Sequence, residues 1–157
     1  MRPGLRSSCG CSAVPPVRSP VLDAEAVQAL VQADHPSRRQ VHNLLEAASR
    51  LQRDVVVPAV TLAELYRGVR RTQHVDAALA PHELYLLIRN TDRALARLVG
   101  ALLASVKLGS AHIADAHVAA VAVEEQGLIL TGDPGDMERL VAGTPTVTVV
   151  GLTDSRT

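Results

Sequence analysis

The sequence predicts an α/β domain with a mainly parallel central sheet flanked by helices. Three observations predict it. Short apolar runs at Val21-Leu22, Val55-Val56-Val57 and Leu128-Ile129-Leu130-Thr131 have the continuous hydrophobicity of strands buried on both faces. Longer stretches between them carry apolar residues three and four apart, the period of a helix. The two kinds of segment alternate along the chain, as they do when helices connect parallel strands.

The elements read in order as follows. Val21-Leu22 ends a first strand, and Asp23 closes it before a helix over residues 24–33. A second helix starts near Pro36, with Val41, Leu44, Leu45, Ala48 and Leu51 on one face. After Asp54, residues 55–57 form a buried strand. Thr61 opens a helix holding Leu62, Leu65, Tyr66 and Val69. Residues 72–82 are ambiguous and admit a short helix, and residues 84–88 read as a strand. Asp92 begins a helix with Leu95, Leu98, Val99, Leu102, Leu103 and Val106 on one stripe, stopped by Gly109. Residues 113–126 form the next helix, ended by Gly127. Leu128–Thr131 is a buried strand, Asp133-Pro134 starts a short helix, and residues 146–150 are the last strand.

Composition narrows the function classes. A chain of 157 residues favours one domain with room for a tail. Residues 1–19 contain Arg2, Arg6 and Arg18, no acid, and many Ser, Gly and Pro, so this basic segment is expected to be disordered. The domain is expected over 20–153, and residues 154–157 form a C-terminal tail. Sixteen bases balance sixteen acids, which argues against polyanion binding by bulk charge alone. Tyr66 and Tyr85 are the only large aromatics, which argues against binders that stack single-stranded bases on aromatic platforms. Cys9 and Cys11 supply neither a disulfide framework nor a zinc motif. No membrane span and no convincing signal peptide are found, so a cytoplasmic protein is the expectation.

The acids carry the chemistry. Ligands of open α/β sheets bind beyond the carboxyl ends of the strands. Asp23 follows the first strand there, and Asp133 follows residues 128–131. Glu64 lies early in the helix after residues 55–57, and Asp115 in the first turns of another helix. Asp136 is one turn beyond Asp133. Like charges held together require a neutralising partner, and Mg²⁺ or Mn²⁺ suits carboxylate and water ligands. Each acid also has a structural reading. Thr61-Leu62-Ala63-Glu64 matches a capping box. Asp133-Pro134 matches an N-cap followed by proline, and Asp136 and Asp115 match partners of a helix dipole. Asp23 fits a turn.

At these residues the chain resembles the PIN-domain ribonucleases, particularly VapC-type toxins of bacterial toxin–antitoxin pairs. The resemblance runs from about Val21 to Leu152. It is carried by Val21-Leu22-Asp23-Ala24, by residues 58–65 (PAVTLAEL), by residues 113–120 (IADAHVAA) and by residues 130–136 (LTGDPGD). It implies a three-layer fold and a metal site of Asp23, Glu64, Asp115 and Asp133, with Asp136 auxiliary. It implies endoribonuclease activity with Mg²⁺ or Mn²⁺, a homodimer, and silencing by a cognate antitoxin. Thr131 matches the family's threonine two residues before its last motif acid, in a role on water or phosphate. Cleavage by in-line attack of water would leave a 5′-phosphate and a 3′-hydroxyl. Glu25 departs from the family, which commonly has Ser or Asn there, and the first strand is shorter than usual.

Other polar residues complete the reading. Arg67, Arg70 and Arg71 follow Glu64 and are expected to share one helical face, either gripping RNA phosphates or facing solvent. Arg38 and Arg39 read as surface. His112 and His117 flank Asp115 and read as solvent-facing or packed rather than as a general base. Receiver domains, haloacid-dehalogenase-type phosphatases and dinucleotide-binding domains fail on the residues after the first strand, where a single Asp stands without Asp-x-Asp or a glycine-rich turn. The alternative from another class is a catalytically weak or inactive PIN scaffold acting as an RNA- or protein-binding module.

Overall fold

The computed structural model describes residues 18–153. The expected cysteine-bearing tail up to residue 17, and residues 154–157, lie outside the described residues. The strands are β1 (Pro20–Leu22), β2 (Val55–Pro58), β3 (Leu86–Arg89), β4 (Leu128–Thr131) and β5 (Thr148–Gly151). They form one sheet in the order β3-β2-β1-β4-β5, and every pairing is parallel. The helices are α1 (Ala24–Val31), α2 (Arg38–Arg50), α3 (Ala59–Leu65), α4 (Val69–Leu79), α5 (Arg93–Ser105), α6 (Ile113–Glu125) and α7 (Pro134–Val141). No helix among the described residues is long and apolar enough to cross a membrane.

Three layers follow from the two-residue period of a strand. Val55 and Val57 point into one core with Leu22, Leu130 and the helices α1–α4. Val56 points into the other with Val21, Ile129 and the helices α5–α7. Small residues bring the helices close to the sheet. All seven residues from Ala116 to Ala122 of α6 are buried, four of them alanine. Three-residue β1 is central and wholly buried, flanked by β2 on one side and β4 on the other. The connection from β1 to β2 runs over one face of the sheet through α1 and α2, and that from β3 to β4 over the other through α5 and α6, so a crevice opens at the carboxyl ends of β1, β2 and β4.

Several boundaries differ from the sequence reading. Arg18 and Ser19, expected in the tail, belong to the folded unit. The Ser19 carbonyl accepts from the Leu128 amide at 3.0 Å, and the Arg18 guanidinium donates to the Thr148 hydroxyl. Pro20 is a strand residue rather than a strand breaker, at the first position, where an absent N–H is tolerated. Leu84, expected to begin β3, is 99% exposed in the turn before it.

The largest correction concerns α3 and α4. The helix starts at Ala59 with Pro58 as its N-cap, two residues before Thr61, so the Thr61/Glu64 capping box is not formed. It stops at Leu65. Gly68 then takes φ +92°, a conformation that favours glycine, and α4 begins at Val69. Arg67 therefore lies in the break, while Arg70 and Arg71 lie in the first turn of α4. The three arginines do not share one helical face.

Candidate active site

Asp23 is the best anchored of the acids. Its amide extends the sheet by donating to the Leu130 carbonyl at 3.2 Å, and its side chain caps α1. Oδ1 accepts from the Ala26 amide at 2.7 Å and Oδ2 from the Gly132 amide at 3.0 Å. The Thr131 hydroxyl donates to the same carboxylate. Burial pushes the Asp23 carboxyl above its ordinary pKa, and these hydrogen bonds oppose that shift.

Thr131 couples Asp23 to the next acid. It is fully buried at the end of β4, and its Oγ1 accepts from the Asp133 amide at 3.0 Å. Asp133 caps α7, accepting from the Asp136 amide at 3.3 Å, with Pro134 in the first turn. The structural reading of Asp133 thus holds, and the capping carboxylate still lines the crevice.

Asp115 comes from the other side, on the first turn of α6 after a 3₁₀ turn at Ser110–His112. Burial raises its pKa, repulsion from Asp136 and Asp133 adds to this, and His112 opposes it. Glu64 projects from α3. Its pKa is raised by burial first, then by the Asp115 charge and that of Asp23, with Arg67 opposing. Glu64 and Asp115 therefore each lie within the field of acids that are remote in sequence.

These residues surround one cavity of about 340 Å³, lined by Asp23, Glu25, Glu64, Asp115 and Asp133 among others. Four of the five lining carboxylates are those singled out by sequence. Glu25, noted only as a departure, is the fifth. His35 holds it. The Ser37 amide donates to His35 Nδ1 at 3.2 Å, so His35 Nε2 carries the proton and donates to Glu25 Oε1 at 3.0 Å.

Asp136 stands beside this cavity rather than in it. His112 Nδ1 is 3.6 Å from Asp115 Oδ2 and 3.7 Å from Asp136 Oδ2. Among the described residues, His112, Asp115 and Asp136 have ligand atoms all within 4.8 Å of one another, close enough to share an ion. The sequence reading weighed His112 as a general base and set it aside as solvent-facing or packed; its place beside Asp115 and Asp136 makes it a candidate metal ligand instead. His117 is a packed histidine, nearly buried, with Nδ1 against the Ile113 carbonyl at 2.7 Å. The donor set, mostly carboxylate oxygen with one imidazole, fits a hard divalent cation such as Mg²⁺ or Mn²⁺.

The arginines border the same region. A second groove of about 470 Å³ shares Glu25 and Glu64 with the acid cavity and adds Gln28, Gln32, Arg67 and Arg71. Arg71 Nη2 donates to Gln28 Oε1 at 2.8 Å. Arg70 lines a further recess with Arg71 and His74.

The model of the PIN domain family matches residues 21–141. No curated protein is a significant match. Solved structures share the fold at low identity. VapBC2 from Rickettsia felis, bound to a DNA fragment from its promoter, aligns with a TM-score of 0.63 and 16% identity, covering 85% of this chain and 98% of that one. A toxin–antitoxin complex from Klebsiella pneumoniae aligns at 0.60 and 22%, covering 83% and 96%. FitAcB from Neisseria gonorrhoeae aligns at 0.58 and 19%, covering 84% and 96%.

Proposed function

This chain belongs to the PIN domain family, and from that premise we propose that it is a metal-dependent endoribonuclease, the toxin of a type II toxin–antitoxin pair. The observation that carries the reading is the convergence of Asp23, Glu64, Asp115 and Asp133 on one cavity at the carboxyl edge of a parallel sheet. A structural role explains the caps made by Asp23 and Asp133. It does not explain why Glu64 and Asp115 are turned toward the same space against their mutual repulsion.

Asp23 and Asp115 hold the principal cation, Mg²⁺ or Mn²⁺. Bound there, such an ion neutralises the carboxylates, activates water and stabilises charge on the phosphate oxygens. Asp23 keeps a fixed orientation through its hydrogen bonds to Ala26, Gly132 and Thr131. Glu64 and Asp133 orient the attacking water or complete a second site. Asp136 and His112 act from the rim, and Thr131 fixes the loop that carries Asp133. Arg67, Arg70 and Arg71 contact RNA phosphates and offset the repulsion between an acidic cavity and a polyanion. In-line attack leaves a 5′-phosphate and a 3′-hydroxyl.

The proposal includes a cytoplasmic location, a homodimer and an antitoxin partner. The toxin–antitoxin complex among the structural relatives supports the last. The test is cleavage of an RNA panel by purified protein with Mn²⁺ and with EDTA. Cleavage with Mn²⁺ alone, lost in a folded Asp115→Asn variant, is the expected result. A folded protein that binds RNA and never cuts it is a binding module instead, and the nuclease reading fails.

A further inference from the structure

We propose that Glu25 is a fifth carboxylate ligand for the cation of the acid cavity, and that His35 is the residue that positions it. The inference rests on the nuclease reading above, in which Asp23 and Asp115 hold Mg²⁺ or Mn²⁺. Glu25 lies in the first turn of α1 and lines the cavity with the four acids. A free glutamate side chain loses its rotamer freedom when it grips an ion. Here that freedom is restricted beforehand, at both ends of the side chain. Gly132 lies against the stem, where a Cβ would stand 2.7 Å from Glu25 Cγ and 3.0 Å from Glu25 Cβ. The Gly132 amide also donates to Asp23 Oδ2 at 3.0 Å, so one residue after β4 sets the places of two acids. At the head, Oε1 accepts from His35 Nε2 at 3.0 Å. Among the described residues Oε2 accepts no hydrogen bond, which leaves it available to a cation.

His35 is a fixed donor. Its side chain is 9% exposed, against 53% for Glu25. The Ser37 amide fills Nδ1 at 3.2 Å, which places the proton on Nε2, facing Glu25. The loop that carries His35 is tied down as well. The His35 amide donates to the Gln32 carbonyl at 3.3 Å, and its carbonyl accepts from the Arg38 amide at 3.0 Å. The Arg38 guanidinium donates to the carbonyls of Leu30 at 2.6 Å and Gln32 at 3.1 Å. Buried Ser37 donates through Oγ to the Thr153 carbonyl at 3.0 Å. An acid in the first turn of α1 needs none of this to favour the helix dipole. A fixed donor behind a carboxylate is how an outer shell aims a metal ligand, and loss of such a partner costs about 10–100-fold in affinity.

The test is calorimetric titration of the full chain with MnCl₂, with folding checked by thermal unfolding in EDTA. Wild type is compared with Glu25→Gln, Glu25→Ala, His35→Ala, His35→Gln and the double variant of His35→Ala with Glu25→Gln. Glu25→Gln and Glu25→Ala should each weaken Mn²⁺ binding by about tenfold. His35→Ala should also weaken it, and should add nothing in the Glu25→Gln background, because it acts through Glu25. His35→Gln, whose amide can donate from the place of Nε2, should recover most of that loss. Wild-type affinity in folded Glu25→Gln and Glu25→Ala overturns the inference, returns Glu25 to a helix-end charge and leaves the nuclease reading intact. Equal losses from His35→Ala in both backgrounds overturn the positioning role. Absence of Mn²⁺ binding by wild type overturns the nuclease reading and this inference together.

Discussion

Asp115→Asn should move stability in opposite directions depending on whether a divalent cation is present. In EDTA, the substitution removes a charge that repels Glu64, Asp133 and Asp136, at the cost of the attraction to His112. Asp115 is half-buried, so solvent screens these terms, and the net gain is on the order of 0.5–1 kcal/mol. For a domain of this size, that raises Tm by about 1–4 °C. With Mn²⁺ at a hundredfold excess over Kd, binding to the folded state alone stabilises wild type by about 2.7 kcal/mol. This is a rise in Tm of about 5–10 °C. The variant has lost a ligand and should show less than half of that rise. The assay is thermal unfolding followed by circular dichroism, with EDTA and with Mn²⁺. If wild type melts at the same temperature in both, the acids do not bind the cation and the basis of the nuclease reading is gone. If the variant melts lower in EDTA, attraction to His112 outweighs the repulsion argued here.

Four further outcomes are expected. Asp23, Glu64 and Asp115 keep their protons to higher pH when folded than when unfolded. The metal-free protein should therefore lose stability as pH rises from the ordinary carboxylate range near 4 through the raised folded values. Urea unfolding in EDTA across that range checks the sign, and rising stability would refute it. Arg71→Ala should weaken RNA binding and flatten the log–log salt dependence by about 0.7 for one lost phosphate contact on a single strand, read by fluorescence anisotropy. Gly127→Ala should destabilise by about 1–3 kcal/mol, because the new Cβ would meet the Ser19 carbonyl at 2.5 Å. Gly100→Ala, exposed within α5 and with open space at its Cβ, should instead stabilise by about 0.5–1 kcal/mol in the same melting assay.

Continuous apolar runs marked β1, β2 and β4 because strands buried on both faces leave no polar alternation to misread. The acids after β1 and β4 were legible for the same reason, since a parallel sheet directs its carboxyl ends to one edge. The break at residues 66–68 was not legible. Leu62, Leu65, Tyr66 and Val69 keep helical spacing across it, yet Val69 is 75% exposed and the spacing is not one buried face. Gly68 was the available signal, and its positive φ is a backbone property that composition alone does not give. Glu25 was noted only as a departure and His112 only as a rejected general base, because the place of each depends on a tertiary partner, His35 for one and Asp136 for the other.

Asp23 joins the end of β1, the start of α1 and the loop after β4 through one carboxylate. Its replacement therefore removes a joint of the scaffold as well as a charge of the cavity. Asp115 carries no such duty, since among the described residues its side chain pairs only with His112, at 3.6 Å. On the nuclease function proposed above, a lineage that gives up cutting can thus do so through position 115 and keep a sound molecule. Silencing through position 23 is open only to residues that still accept two backbone hydrogen bonds. Among descendants that have given up cutting, the aspartate at 23 should outlast the one at 115.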